Sequence, residues 1–301
     1  MHRIAAIALC AGVLILLCGG APRAQQNAAE ETAREEAALA TLPGNAAQVL
    51  FGRQTAPAPG PPEAIGGYAR GCLQGAVALP ADGPNWQVMR PSRHRAFGHP
   101  ALIRLIERLA ALAPQQAGWP GLLIGDIAQP RGGPMLSGHG SHQIGLDADI
   151  WLTPMPARRL SPEERDTMRA EVVVADRAHV NAALWTGAYR RLLETAARLP
   201  QVTRIFVNLA IKRELCREAG PDRLWLAKIR PWWGHVRHFH LRIACPAGDR
   251  ECRDQPPPPP GDGCGAELAW WLHHAPPPPR PPRPLPLSAL PQACAALVGK
   301  G

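Results

Sequence analysis

The chain has 301 residues, of which 46% are hydrophobic and 35 are proline, and its formal net charge is +9. That is length for one large domain or two small ones and enough apolar material for a core, so a wholly disordered chain is excluded. The charge suits an anionic polymer and equally a plain solvated surface; the arginines are scattered, not gathered into one basic run, so no nucleic-acid partner is expected.

Residues 1–24 read as a secretory signal peptide. Arg3 gives a basic start, Ile4–Leu17 is an almost unbroken apolar run, and Cys18–Ala21 and Pro22–Ala24 offer small-residue cleavage points. The apolar run is too short for a comfortable transmembrane helix, so no stable membrane insertion is expected. Removal of the leader takes Arg3 and Arg23, which lowers the net charge from +9 to +7. It also takes Cys10 and Cys18 and leaves Cys72, Cys216, Cys245, Cys252, Cys264 and Cys294. In an exported chain an even set of cysteines favours disulfides over thiolate metal ligands. Cys245 and Cys252 can close a local loop and Cys72 and Cys294 can staple the two ends, but spacing alone does not choose the connectivity.

Residues 25–64 read as an N-terminal linker, with an Ala/Glu-rich stretch over Asn27–Ala40 and a core that begins between Thr41 and Cys72. Helical spacing of Leu102, Ile103, Leu105, Ile106, Leu109 and Leu112 predicts a helix over Ala96–Leu112, with Pro114 as its stop signal. Gly121–Ile127 predicts a short buried strand, Gly132–Gly140 a glycine-rich loop and Leu146–Leu152 a strand. Ser161, Pro162, Glu163 and Glu164 form a capping-box pattern that opens a helix over Ser161–Ala170. A second helix is predicted over Val180–Leu199, and strands over Val202–Val207 and His238–Ile243. The tracts Pro256–Pro260 and Pro276–Pro286 suit extended surface segments. Helices interleaved with short strands that are not obviously parallel predict an α+β fold.

Two segments carry chemistry. In Leu146–Leu152, strand alternation puts Asp147 and Asp149 on one face. Two such carboxylates repel unless something positive or hydrogen-bonding sits there, and a cation meets that need. In His238–Ile243, Phe239, Leu241 and Ile243 make an apolar face, and His238, His240 and Arg242 the polar one. With His139 and His142 just before the acids and His235 just before the second strand, five of the 11 histidines fall in two short segments. Two imidazoles and a carboxylate make a reasonable zinc shell with one place left for water, and one of His238 and His240 can ligate such a metal while the other stands beside it. His238 is the first choice for the proton-transfer group beside it, and His235 the second or a transition-state stabiliser. Asp147 either orients a ligand or ends a turn.

The pattern Ser141-His142-x-x-Gly145-x-Asp147-x-Asp149, followed later by His238-x-His240, resembles the lysostaphin/D-alanyl-D-alanine metallopeptidase/hedgehog superfamily of zinc hydrolases. Within it the nearest likeness is to the family of penicillin-insensitive murein endopeptidases. Arg95–Gly98 with His99 and Pro100, Leu123–Asp126, Val202–Asn208, Ala244–Pro246 and Gly261–Glu267 also read as that family reads, so the likeness spans residues 65–298. It implies one catalytic α+β domain over 65–298, with a central antiparallel sheet flanked by helices. It implies a periplasmic zinc peptidase that hydrolyses D-alanyl-meso-diaminopimelyl cross-links between peptidoglycan stem peptides without a serine acyl-enzyme. The catalytic zinc would sit on His142, Asp149 and His240, with His238 and His235 beside it. A second zinc at a homodimer interface would fall on His139, Asp176 and His179. The implied disulfides are Cys72–Cys294, Cys216–Cys264 and Cys245–Cys252. Competing expectations are a D,D- or L,D-carboxypeptidase of the same chemistry, and a wall-binding protein in which zinc is structural.

Overall fold

The computed structural model describes residues 37, 40–136, 139–278 and 283–299. The expected leader, most of Asn27–Ala40, part of the glycine-rich loop and part of the second proline tract lie outside the described residues.

The elements in chain order begin with helix α1 (Ala47–Gly52) and strands β1 (Glu63–Gly67), β2 (Arg70–Gln74), β3 (Val77–Ala78), β4 (Asp82–Gly83), β5 (Trp86–Val88) and β6 (Phe97–Gly98). Helix α2 (Pro100–Ala117), strands β7 (Leu122–Ile124) and β8 (Asp147–Trp151), and helices α3 (Pro162–Thr167) and α4 (Gly187–Arg198) follow. The chain then runs through β9 (Val202–Val207), α5 (Leu209–Glu218), β10 (Ile229–Pro231), β11 (His238–Ile243), α6 (Ala266–His273) and α7 (Gln292–Val298). The fold is α+β, as expected. Its seven-stranded sheet has the order β10-β9-β11-β8-β7-β5-β4. The central pairs β9–β11, β11–β8 and β8–β7 are antiparallel, while β10–β9 and β5–β7 are parallel, so the sheet as a whole is mixed.

Alternation decides which face of this sheet meets the core. Ala148 and Ile150 of β8, Phe239, Leu241 and Ile243 of β11 and Ile205 of β9 join one buried cluster with Leu102, Leu105, Ile106 and Leu109 of α2 and Leu192 and Leu193 of α4. Burying each of the larger of these side chains contributes about 1.5–3 kcal/mol. Their strand neighbours point to the opposite face, and there the site lies.

Several predicted boundaries shift. Helix α2 starts at Pro100, where His99 caps it by accepting from the Ala101 amide at 3.1 Å. It runs through Pro114 to Ala117 and stops at Gly118, whose φ of +73° is left-handed. Pro114 has no amide to offer the Ala110 carbonyl, and the helix ends within a turn of it. The capping box of α3 forms in both directions, Ser161 accepting from the Glu164 amide and Glu164 from the Ser161 amide. Helix α4 begins only at Gly187, capped by Thr186; residues 181–186 turn around Asn181, whose side chain accepts from the Ala183 amide.

The segment read as linker contributes structure. Gln48 in α1 donates to the Arg283 carbonyl and accepts from the Leu285 amide, clasping the end of the proline tract. Phe51, Ile65, Leu290 and Leu297 pack around the Cys72–Cys294 disulfide. Cys216–Cys264 and Cys245–Cys252 are also joined, so the structure carries the three pairings that the resemblance implies. Among the described residues no helix is long and apolar enough to cross a membrane.

Candidate metal centre

Register places the polar side chains in ranks across the face that the core leaves free. Asp149 pairs with His240, His240 with Phe206 and Phe206 with Arg230, so one rank crosses β8, β11, β9 and β10. One step along the strands, Asp147 pairs with Arg242 and Arg242 with Arg204.

Asp149 is the focus of the first rank. Its Oδ1 lies 3.4 Å from His142 Nε2, 3.4 Å from His240 Nδ1 and 3.6 Å from His238 Nε2. Asp149 Oδ1 and His142 Nε2 are buried and, among the described residues, have no hydrogen-bond partner. Such orphans are rare in folded proteins and call for an occupant. Burial alone would raise the Asp149 carboxyl, but the facing histidines more than offset it and hold it well below the ordinary carboxylate range.

His142 is built into this position by its backbone. Its φ of +65° is left-handed, a region that a residue with a side chain enters only when its surroundings enforce it. Its amide donates to Asp147 Oδ2 at 3.0 Å, and its ring Nδ1 donates to the Ile127 carbonyl at 2.6 Å. A carbonyl only accepts, so Nδ1 carries the proton and Nε2 keeps its lone pair for an electrophile. Gly145 three residues on also has a left-handed φ of +66°, and a Cβ there would come within 2.9 Å of the His99 nitrogen.

Asp147 supports rather than completes the centre. It accepts from Arg242 Nε at 2.6 Å and Nη2 at 3.0 Å, and lies 3.0 Å from His240 Nε2, too oblique for a good hydrogen bond. Burial would raise this carboxyl; Arg242 and then His240 drive it well below its ordinary range. His240 itself is raised: burial opposes protonation, but the two carboxylates around the ring prevail.

His235 and His238 stand together with ring centroids 5.0 Å apart. His235, with a left-handed φ of +52°, donates its Nδ1 proton to the Trp233 carbonyl at 2.9 Å. Burial first, then the neighbouring His238 and His240, pushes its pKa down to about 3. The His238 pKa is also lowered by burial. Neutral His235 therefore presents an unprotonated Nε2.

His139 sits in this centre as well. Its Nε2 meets Asp126 Oδ2 at 3.0 Å and its Nδ1 lies 3.7 Å from Asp149 Oδ2. His139, His142 and Asp149 bring ligand atoms within 4.8 Å of one another, close enough to hold a metal ion. Asp176 and His179 form their own exposed pair at 2.9 Å, with Arg213 on His179 Nε2 at 3.0 Å, and no described contact joins them to His139. Sequence reasoning gave Asp126 no role, yet it anchors His139 and takes Arg93 and Arg95 at 3.3 and 3.0 Å. An acid directly after the apolar strand β7 and Gly125 was the available signal.

His139, His235 and His240 line one wall of a cleft of about 520 Å³ that continues past Phe206, Arg204, Arg230, Trp232 and Trp271. The family profile described as penicillin-insensitive murein endopeptidase matches residues 64–299. A protein of Yersinia enterocolitica named penicillin-insensitive murein endopeptidase is 49% identical over 246 residues, 81% of this chain and 88% of its own. Those of the same name from Klebsiella pneumoniae and Salmonella heidelberg are 44% and 46% identical, over 87% and 81% of this chain and 95% and 89% of theirs.

Proposed function

Because the chain belongs to the penicillin-insensitive murein endopeptidase family, we propose that it is an exported zinc peptidase that hydrolyses D-alanyl-meso-diaminopimelyl cross-links in peptidoglycan. The observation that carries the metal is the spacing around Asp149 Oδ1. Two ligand atoms each about 2.0–2.1 Å from a tetrahedral zinc lie about 3.4 Å from one another. His142 Nε2 and His240 Nδ1 each stand 3.4 Å from that oxygen. His142, Asp149 and His240 are therefore the residues that would hold the ion. His139 is the lesser choice, since it faces the other Asp149 oxygen at a longer distance and is engaged by Asp126.

Zinc, when bound, polarises a scissile carbonyl and makes water a nucleophile near neutral pH. The chain's own residues do the rest. His238, beside Asp149, takes the proton of the attacking water and passes it to the leaving amine. His235 backs His238 with an acceptor nitrogen, which its bond to Trp233 fixes. No nucleophilic serine takes part, so β-lactams find no acyl acceptor. Residues 1–24 are the export signal and 65–298 the catalytic domain, which puts the enzyme in the periplasm, where disulfides persist. A second zinc would fall on His139, Asp176 and His179 at a homodimer interface.

Replacing His238 with Ala is expected to leave zinc bound and lower kcat by about 10²–10⁴-fold, as loss of a general acid–base group does. Elemental analysis with kinetics checks this, and loss of metal in that variant would make His238 a ligand. For the reaction itself, purified muropeptide dimers and pentapeptide monomers are digested with penicillin present. Conversion of dimers to monomers, with pentapeptides intact, is expected. Trimming of terminal D-alanine with dimers intact would assign a carboxypeptidase instead.

A further inference from the structure

Beyond the metal centre, the cleft is basic in a way that the proposed chemistry does not use. Arg242 is paired with Asp147, and Arg230 with Glu267. Arg204, half-buried on β9, lines the same cleft and has only neutral partners: Nη1 donates to Gln255 Oε1 at 2.6 Å and Nη2 to the Pro256 carbonyl at 2.5 Å. No described carboxylate lies within ion-pair distance of it. Of these three guanidiniums, two have a carboxylate partner and Arg204 has none among the described residues. Burial, and then Arg242 and Arg230, push the Arg204 pKa downward, the electrostatic sign of a cation lacking a counter-ion.

Placement makes this charge relevant to the reaction. Arg204 pairs across the sheet with Arg242 and stands two residues from Phe206, the partner of His240. Strands are about 4.8 Å apart and alternate residues on one face about 7 Å apart, which puts the Arg204 Cα about 8 Å from that of the ligand His240. A guanidinium on a flexible stem spans much of that distance, and its fork matches a carboxylate. Phe206 and Trp232, with ring centroids 5.7 Å apart, line the same cleft as Arg204 and His240.

We propose that Arg204 is a carboxylate-binding subsite that reads the free carboxylate of the diaminopimelyl residue beside the scissile bond. This rests on the cross-link reading above. In the cross-link, that carboxylate is carried by the carbon bearing the scissile amide nitrogen. Binding it would seat the nitrogen near His238, and would select stem peptides that are not amidated at this position.

The test is affinity, not turnover. Zinc-loaded protein is titrated with uncross-linked stem peptide bearing the free carboxylate and with its carboxamide counterpart. The wild type is expected to bind the carboxylate form about 10- to 100-fold more tightly, as for a hydrogen bond to a charged group. Arg204→Gln removes the preference, and Arg204→Lys keeps part of it. Metal content and thermal unfolding of each variant verify that the fold is intact. An equal ratio in wild type and Arg204→Gln overturns the subsite, as does a wild type indifferent to amidation or binding neither peptide. Dimer hydrolysis is assayed alongside: if the wild type leaves dimers intact yet shows the Arg204-dependent preference, the cross-link reading falls and the subsite stands.

Discussion

Replacement of His240 by Ala is expected to abolish metal retention and cross-link hydrolysis together. His240 sits in the middle of the rank Asp149–His240–Phe206, and its Nδ1 is one of two nitrogens that face Asp149 Oδ1 at 3.4 Å. Without it, two protein ligands remain where a catalytic zinc ordinarily keeps three. The ring is buried but lies on the polar face of β11, apart from Phe239 and Leu241, so the core should survive. Elemental analysis, a cleavage assay and a thermal melt check the three statements. Normal turnover in a protein that holds its metal would remove His240 from the ligand set.

Asp147→Asn is expected to have the largest effect on stability of any change in this centre. Asp147 is fully buried and accepts twice from Arg242, which is 4% exposed. The amide preserves the shape but leaves a buried guanidinium without its charge partner, and breaking such a pair from one side costs about 3–5 kcal/mol. The same carboxylate accepts from the His142 amide and flanks His240 Nε2, so the geometry of two ligands loosens. Loss of an outer partner of this kind lowers metal affinity about 10–100-fold. Denaturant titration and competition with a chelator measure the two effects. An unchanged unfolding midpoint would mean that Arg242 draws enough from Gln255 and from the Tyr68 and Phe206 rings to stand alone.

These effects were legible in the sequence to differing depth. Alternation in Leu146–Leu152 and His238–Ile243 gives the face of each acid and imidazole, because side-chain direction in a strand follows from sequence parity alone. The register that sets Asp149 against His240 and Arg242 against Arg204 depends on which strands meet, and parity is silent on that. His139 shows the same gap. Its place beside Asp149 is set by Asp126, 13 residues earlier and across a loop. Helix α1 was read as linker because six residues give too little periodicity; its stability comes from Gln48 and Phe51 meeting the far end of the chain. The helix expected from Val180 starts late for the opposite reason: Leu184 and Trp185 fit a helical pattern, but Asn181 and Thr186 bond locally to backbone amides and break the first turns.

The measurement that tests the central claim most directly is hydrolysis of purified muropeptide dimers by protein stripped with a chelator, before and after stoichiometric zinc is returned. Stripped protein should be folded and inert, and zinc should restore conversion of dimers to monomers with penicillin present. Full turnover by protein that elemental analysis finds free of metal would contradict the account.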